Sequence, residues 1–198
     1  DLGAHDSSEL YMIRADSDRP PAAETLEATE AISQMVRTAA DLASLLCVSH
    51  AAAVIVLRHY GWSGSRARER CFDDDIVEKL GLAESREEGK WALNSNEVTC
   101  GVCWDDVPAG RAMALTSCSS KHWFCKSCVE GNLSHALRIG STGGGVVGKR
   151  CLEGSCHQLI GLALWKEALP ERLHDRLHEA VIREMVNQNQ HLKWCANK

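Results

Sequence analysis

Apolar residues recur every three or four positions in the first third of the chain, and this period predicts α-helices. The first such run extends from Leu26 to about Leu46 and places one apolar stripe along a helix. Ser49 can cap the start of a second helix over residues 51–60, and Gly61 can end it. The beginning of the chain therefore predicts two consecutive amphipathic helices.

Two shorter helices are predicted to follow. Ser63 can cap the first, which runs to Phe72, and the three aspartates at 73–75 favour the start of the second, which ends at Gly81. Four short helices with caps at their joints predict a compact helical bundle over residues 26–82. Its core is expected to include Val54, Leu57, Tyr60, Trp62 and Phe72.

A second helical region is predicted near the end of the chain. Residues 158–165 are apolar and compatible with two helical turns, and Pro170 stands where a long helix would begin. That helix would extend to about Leu192, with an apolar seam at four-residue steps formed by Leu173, Leu177, Val181 and Met185. Residues 161–194 are therefore predicted to be a helical extension.

Polar segments separate these regions. Residues 1–25 contain Ser, Asp and Pro with little apolar period, which predicts a flexible arm. The charged run A-E-S-R-E-E-G-K opens a predicted linker over residues 83–95. Between this linker and the helical extension, residues 96–160 are rich in Cys, with one helix predicted over residues 129–137. The predicted fold class is mostly α: a helical bundle, a small metal-stabilised α+β segment, then a long helix.

Composition argues against two classes of partner, nucleic acids and membranes. The 198 residues carry a formal net charge of -5, with a pI near 6.0, which argues against broad contact with the nucleic-acid backbone. No stretch approaches the roughly 20 apolar residues that a membrane span needs, and no secretory signal is visible in the first 25 residues. We therefore expect no nucleic-acid or membrane partner and a cytoplasmic and/or nuclear location.

Cysteine spacing indicates metal chemistry. Seven of the ten Cys fall between positions 100 and 156, and with one His they form four close pairs. Two residues that close can bind the same zinc ion, and two pairs complete a tetrahedral site. Four pairs therefore predict two zinc sites. The pairs are Cys100 with Cys103, Cys118 with His122, Cys125 with Cys128, and Cys151 with Cys156.

Spacing alone does not determine which two pairs bind the same zinc ion. If the first pair joins the third and the second joins the fourth, the sites are interleaved, one with four Cys and one with three Cys and a His. If neighbouring pairs join, two sequential zinc fingers result instead.

The segments C-G-V-C-W, C-S-S-K-H-W-F-C-K-S-C and K-R-C-L-E-G-S-C-H resemble the first RING of RING-in-between-RING ubiquitin ligases. This resemblance implies the interleaved, cross-braced sharing. Three residues separate Cys118 from His122, where that family usually has one. Leu152 replaces a common Pro, and Gly143 to Gly145 lengthens the loop before Cys151.

The resemblance extends to both sides. Residues 36–75, including S-H-A-A-A-V-I-V-L-R-H-Y-G-W-S and C-F-D-D-D, are similar to the ubiquitin-associated-like domain of the Ariadne subfamily. The final H-L-K-W-C-A-N-K looks like the start of an in-between-RING domain, with Cys195 as its possible first ligand. The resemblance implies ubiquitin and a ubiquitin-conjugating enzyme as partners, and contact of the helical bundle with a neddylated cullin-RING ligase.

The implied function is recruitment of a ubiquitin-loaded conjugating enzyme by the first RING. Ubiquitin would then pass to a catalytic Cys in a downstream second RING. No residue of this chain is assigned a catalytic role, and the chain alone is expected to be inactive. The expected contacts with the conjugating enzyme are Val102, Trp104, Pro108 and Leu152.

Three other interpretations compete with this one. The chain could be a non-catalytic adaptor whose helical bundle binds a ubiquitin-like modifier, or a zinc-dependent nucleic-acid binder. The run G-G-G-V-V-G-K at 143–149 matches a phosphate-binding loop up to its Lys. Arg150 then stands where a Ser or Thr would bind magnesium, so nucleotide binding is disfavoured.

Overall fold

The fold of the chain is given by a computed structural model, which describes residues 9–12, 24–73, 75–82, 87–139, 145–189 and 192–194. About half of the described residues are helical, and the strands are short. The mixture of helices with small sheets agrees with the predicted fold class.

The four predicted N-terminal helices are present. They are α1 (Ala28–Leu46), α2 (His50–His59), α3 (Gly64–Arg70) and α4 (Ile76–Lys79). Both predicted serine caps are confirmed. Ser49 accepts a hydrogen bond from the N–H of Ala52, and Ser63 accepts one from the N–H of Arg66. Each cap satisfies a backbone donor that the first helical turn leaves unpaired.

The core of this bundle matches the prediction with one exception. Val54, Leu57, Tyr60 and Trp62 are buried, but the side chain of Phe72 is 59% exposed, so its assignment to the core was wrong. Cys71 is buried in its place. Cys71 lies one helical turn after the buried Ala67, and the next residue along the chain is rotated by about 100° away from that face.

The Cys-rich segment is built on two small antiparallel sheets and one helix. The strands are β3 (Trp91–Leu93), β4 (Val98–Thr99), β5 (Asp106–Val107), β6 (Ala112–Leu115) and β7 (Phe124–Cys125). β6 lies between β3 and β7, and β4 pairs with β5. The helix α5 (Lys126–Ile139) confirms the one predicted near residues 129–137.

A buried asparagine joins the two sheets. The side-chain amide of Asn94 donates to the carbonyls of Asn96, Val107 and Pro108, and its oxygen accepts from the N–H of Ala112 at 2.8 Å. Strands of two residues form few backbone hydrogen bonds with each other, and the side-chain bonds of Asn94 supply additional links. Asn94 therefore fixes the loop around Pro108.

Two predicted segment boundaries were wrong. Trp91–Leu93, assigned to the linker, is β3 and pairs with β6, although residues 83–86 of that linker lie outside the described residues. Within the predicted flexible arm, Glu9–Met12 forms β1, which pairs with β2 (Glu24–Glu27) and with β8 (Leu192–Trp194). Both strands are short, and their pairing depends on residues outside the segment. β3 pairs with β6, 20 to 24 positions later, and β1 pairs with β8 as well as with the nearer β2.

The C-terminal helices differ from the prediction in their bounds. After α6 (Leu162–Ala168), Pro170 opens a 3-10 turn (Glu171–Leu173), and the long helix α7 (His174–Gln188) starts four residues after the predicted position and ends before the predicted Leu192, which lies in β8. Three members of the predicted seam, Leu177, Val181 and Met185, are buried on α7, but Leu173 lies in the 3-10 turn and is only half-buried.

No single helix among the described residues is long and apolar enough to cross a membrane. α1 and α2 reach that length and composition only as a pair, and they bend by 104° at the break between them.

Candidate metal centres

The first cluster contains Cys100, Cys103, Cys125 and Cys128, whose sulfur atoms all lie within 4.8 Å of one another. Cys100 follows β4, Cys125 ends β7, and Cys128 lies in the first turn of α5. The N–H groups of Val102 and Cys125 point at the Cys100 sulfur, at 3.5 and 3.3 Å. Such N–H groups stabilise a thiolate, which is the form that binds a metal.

The second cluster contains Cys118, His122, Cys151 and Cys156, whose ligand atoms also lie within 4.8 Å of one another. The Cys118 and Cys156 sulfurs are 3.4 Å apart, and the Cys151 sulfur is 3.7 Å from Nδ1 of His122. The three residues between Cys118 and His122 therefore leave the imidazole within reach of its three partners.

These separations fit a metal better than disulfides. Four sulfurs at about 2.3 Å from a central zinc ion lie roughly 3.8 Å from one another. The Cys103 and Cys125 sulfurs are 3.9 Å apart, whereas a disulfide requires about 2.05 Å. Both clusters could hold a metal ion.

The structure groups the pairs in the interleaved manner. The first pair lies with the third, and the second with the fourth, as the RING resemblance implies and unlike two sequential fingers. The hairpin of β6 and β7 carries the chain from one cluster to the other, because Cys118 follows β6 and Cys125 ends β7.

The thiols of the clusters differ in their tendency to ionise. Burial opposes ionisation of Cys100, but N–H groups of Cys103, Cys125 and Val102 outweigh burial and lower the pKa of this thiol to about 6. Burial, then the contact with Cys156, raises the pKa of Cys118. Four crowded thiolates repel one another, so a bound cation would favour their joint ionisation.

The first Cys pair is accompanied by two exposed apolar side chains, Val102 between the two Cys and Trp104 directly after the second. Val102 is 48% exposed and Trp104 is 78% exposed, and Trp104 has a positive φ of 64°. Most of the Trp104 side chain therefore faces solvent. Pro108 is exposed, and Leu152 is half-buried against the core.

Of the three remaining Cys, the two that the structure describes lie outside both clusters. Cys71 is buried, and its burial raises the pKa of the thiol, although hydrogen bonds from the N–H groups of Cys71 and Phe72 lower it. The negative charge of Asp73 adds a smaller increase. Cys47 is exposed as the left-handed C-cap residue of α1. Cys195 lies outside the described residues.

Sequence reasoning missed two polar residues that shape the site. One is Asn94, described above, which holds the loop carrying Pro108. The other is Arg150, which contacts Nδ1 of His157 at 2.8 Å and donates to the carbonyl of Leu80 in the helical bundle at 3.4 Å. Asn94 belongs to no motif, and Arg150 lies in the segment K-R-C-L-E-G-S-C-H without being a metal ligand, so only the tertiary structure reveals these contacts.

Comparison with known proteins places this geometry in a functional context. No family model matches the chain. Probable E3 ubiquitin-protein ligase ARI7 of Arabidopsis thaliana is 28% identical over 153 residues, which cover 76% of this chain and 26% of that protein. E3 ubiquitin-protein ligase dbl4 of Schizosaccharomyces pombe is 27% identical over 157 residues, 78% of this chain and 29% of that protein.

A mammalian protein shows the same relation. E3 ubiquitin-protein ligase ARIH2 of Mus musculus is 26% identical over 157 residues, 78% of this chain and 30% of that protein. The resemblance to RING-in-between-RING ligases of the Ariadne subfamily is therefore confirmed. The chain spans less than a third of the length of these curated relatives.

Proposed function

We propose that this chain is the N-terminal portion of a RING-in-between-RING ubiquitin ligase, and that its first RING recruits a ubiquitin-loaded conjugating enzyme. The observation that carries this proposal is the pair of interleaved clusters next to the exposed apolar loop of Val102 and Trp104. The similarity to E3 ubiquitin-protein ligases supports it.

Zinc is the proposed metal at both clusters. Seven thiols and one imidazole form the donor set, which suits zinc in tetrahedral coordination. Each site would have four protein ligands and no position open to water, as in structural zinc sites. The metal would then supply folding energy and hold the loops in place.

The docking surface would consist of Val102 and Trp104, with Pro108 and Leu152 at its edge. An exposed aromatic side chain loses little conformational entropy on binding and buries a large apolar area. Trp104 is therefore the proposed anchor. The fixed loops on either side, held by the first cluster and by Asn94, would keep this surface in one shape.

The transfer chemistry would take place elsewhere in the ligase. In this proposal the conjugating enzyme docks on these residues, and ubiquitin passes to a Cys of a second RING outside them. A receiving Cys must be exposed and able to ionise. The cluster Cys would be bound to zinc, and Cys71 is buried.

The recruiting step is tested by titrating the zinc-loaded chain with a panel of ubiquitin-conjugating enzymes. Trp104→Ala is expected to weaken binding by roughly 30-fold, the loss typical of an aromatic anchor, and Val102→Ala by less. Both variants are expected to retain their zinc, because neither residue is a ligand.

Phe72→Ala is the matched control, since Phe72 is also exposed but lies on the helical bundle. Its affinity is expected to equal that of the unmodified chain. If Trp104→Ala binds a competent conjugating enzyme with unchanged affinity, the docking surface lies elsewhere and this proposal is wrong.

The proposal that ubiquitin is accepted by a Cys outside these residues is tested by incubating the chain with a ubiquitin-loaded conjugating enzyme. The products are then separated without reductant. No ubiquitin thioester is expected on the chain. Because Cys47 is exposed, Cys47→Ser is the informative comparison. A reducible adduct that disappears in Cys47→Ser would show that this part of the ligase itself accepts ubiquitin.

A further inference from the structure

A carboxylate is buried between three segments of the chain. Glu184 on α7 is only 1% exposed. Its Oε2 accepts hydrogen bonds from the N–H groups of Val146 and Val147, at 3.0 and 3.4 Å. These two residues lie in the loop that leads to Cys151, a member of the second cluster.

The other carboxylate oxygen faces the helical bundle. Oε1 of Glu184 lies 3.0 Å from Nε of Arg58, near the end of α2. The Nε–H group of Arg58 donates its hydrogen bond to Oε1 of Gln188 at 3.2 Å. Oε1 of Glu184 therefore forms an ion pair with the guanidinium but accepts no hydrogen bond among the described residues. A buried carboxylate needs such a partner, because desolvation of an unpaired charge costs several kcal/mol.

The loop is shaped to receive this carboxylate. Gly145 has a φ of +76°, and a Cβ added there would lie 2.5 to 2.7 Å from the Glu184 carboxylate atoms. A side chain at this position would therefore displace the carboxylate as well as strain the backbone. Only glycine allows the N–H groups of Val146 and Val147 to approach it.

This arrangement explains part of the run G-G-G-V-V-G-K at 143–149, of which the structure describes residues 145–149. A glycine-rich loop with inward N–H groups forms a concave site for an anion, which in nucleotide-binding proteins is a phosphate. Here the N–H groups of Val146 and Val147 bind the protein's own Glu184. The sequence feature that resembles a phosphate loop therefore has an internal ligand.

We propose that Glu184 is a latch that joins the helical bundle, through Arg58, to the glycine-rich loop before Cys151, and holds both on α7. The latch fixes how the bundle sits against the second metal cluster. It goes beyond recruitment of a conjugating enzyme and does not depend on it.

The close approach at Gly145 is tested by thermal unfolding of the zinc-loaded chain. Gly110→Ala is the matched control, because Gly110 has a φ of +75° and open space around it. Backbone strain alone is expected to lower the unfolding midpoint of Gly110→Ala by about 2–6 °C. Gly145→Ala also breaks the latch, so its midpoint is expected to fall by about 10 °C or more.

The dependence on Glu184 is tested by combining the substitutions. In a Glu184→Ala background the latch is already lost, and Gly145→Ala is expected to lower the midpoint no further than Gly110→Ala does. Equal effects of Gly145→Ala in both backgrounds would show that the two residues are independent, and the latch would be wrong.

The connection to the helical bundle is tested with the milder Glu184→Gln, followed by amide hydrogen exchange. A glutamine oxygen can still accept from the loop, but its neutral amide no longer attracts Arg58. Exchange is therefore expected to accelerate several-fold at the end of α2, with little change at residues 145–147. Glu179→Gln, an exposed substitution on the same helix, is expected to change neither region. Unchanged exchange in α2 would overturn the proposed connection.

Discussion

The helical bundle of α1 to α4 and the Cys-rich segment are stabilised in different ways. The bundle buries apolar side chains along helices of up to 19 residues, and Leu42, Val56 and Leu57 are almost fully enclosed. The strands of the Cys-rich segment contain two to four residues and could not hold their loops by ladder hydrogen bonds. Two tetrads of ligands occupy the positions where these loops meet.

This difference shows how a small segment can keep an exposed apolar surface in a fixed shape. Val102 lies between two members of the first cluster, Trp104 directly follows the second of them, and both side chains are exposed. In the bundle, residues of that size are mostly in the core. Metal ligation would thus replace the apolar contacts that a loop of this length cannot make while its side chains face solvent.

The largest expected effect is that of a lost metal ligand, which is expected to unfold the Cys-rich segment and to spare the helical bundle. Cys125→Ser removes one ligand from the first cluster, and structural zinc sites contribute on the order of 10 kcal/mol to folding. Hydrogen exchange is expected to become fast in α5 and in the strands β6 and β7. It is expected to stay slow at the buried positions of α1 and α2, which pack mainly on each other.

Cys47→Ser is the control for this variant, because Cys47 is exposed and lies in neither cluster. It is expected to leave both regions and the zinc content unchanged. Loss of protection throughout α1 and α2 in Cys125→Ser would show that the bundle cannot fold without the metal.

A substitution in the core of the bundle is expected to have a smaller effect, and to destabilise the bundle without loss of metal. Leu42→Ala removes a fully buried side chain and is expected to cost about 2–5 kcal/mol of unfolding free energy. Leu45→Ala, on the same helix but 42% exposed, is expected to cost much less. Denaturant unfolding gives the free energies, and zinc analysis is expected to find the same metal content in both. Release of zinc from folded Leu42→Ala would show that the regions are not stabilised separately.

The smallest effect concerns a helix cap. Ser49→Ala removes the acceptor for the N–H of Ala52 at the start of α2 and is expected to cost about 1 kcal/mol. Ser44→Ala, in the interior of α1 and exposed, is expected to be neutral or slightly stabilising, since Ala favours helix. Thermal unfolding of the two variants distinguishes them, and equal midpoints would mean that the Ser49 cap contributes nothing.

Sequence was informative wherever the signal is local. The period of apolar residues and the caps at Ser49 and Ser63 predicted the helices of the bundle. The spacing of Cys pairs predicted two ligand sets, and resemblance to a known family implied which pairs lie together. Each of these features depends on residues only a few positions apart, or on a motif with few alternatives.

Sequence failed where contacts are distant. The strand at Glu9–Met12 pairs with β8, 180 to 184 positions later, as well as with the nearer β2, so a polar segment was taken for a flexible arm. Phe72 was assigned to the core by its type, but the turn after α3 points it outward. The glycine-rich loop could be dismissed as a nucleotide site, yet its partner Glu184 was invisible among the other acidic residues of α7.

The central claim, that two interleaved zinc sites replace a larger core in the Cys-rich segment, is tested most directly by native mass spectrometry of the folded chain. The account predicts two zinc ions per chain, and one in Cys103→Ser/Cys125→Ser, whose two substitutions fall in a single cluster. A folded, unmodified chain that carries one zinc ion or none would contradict the account.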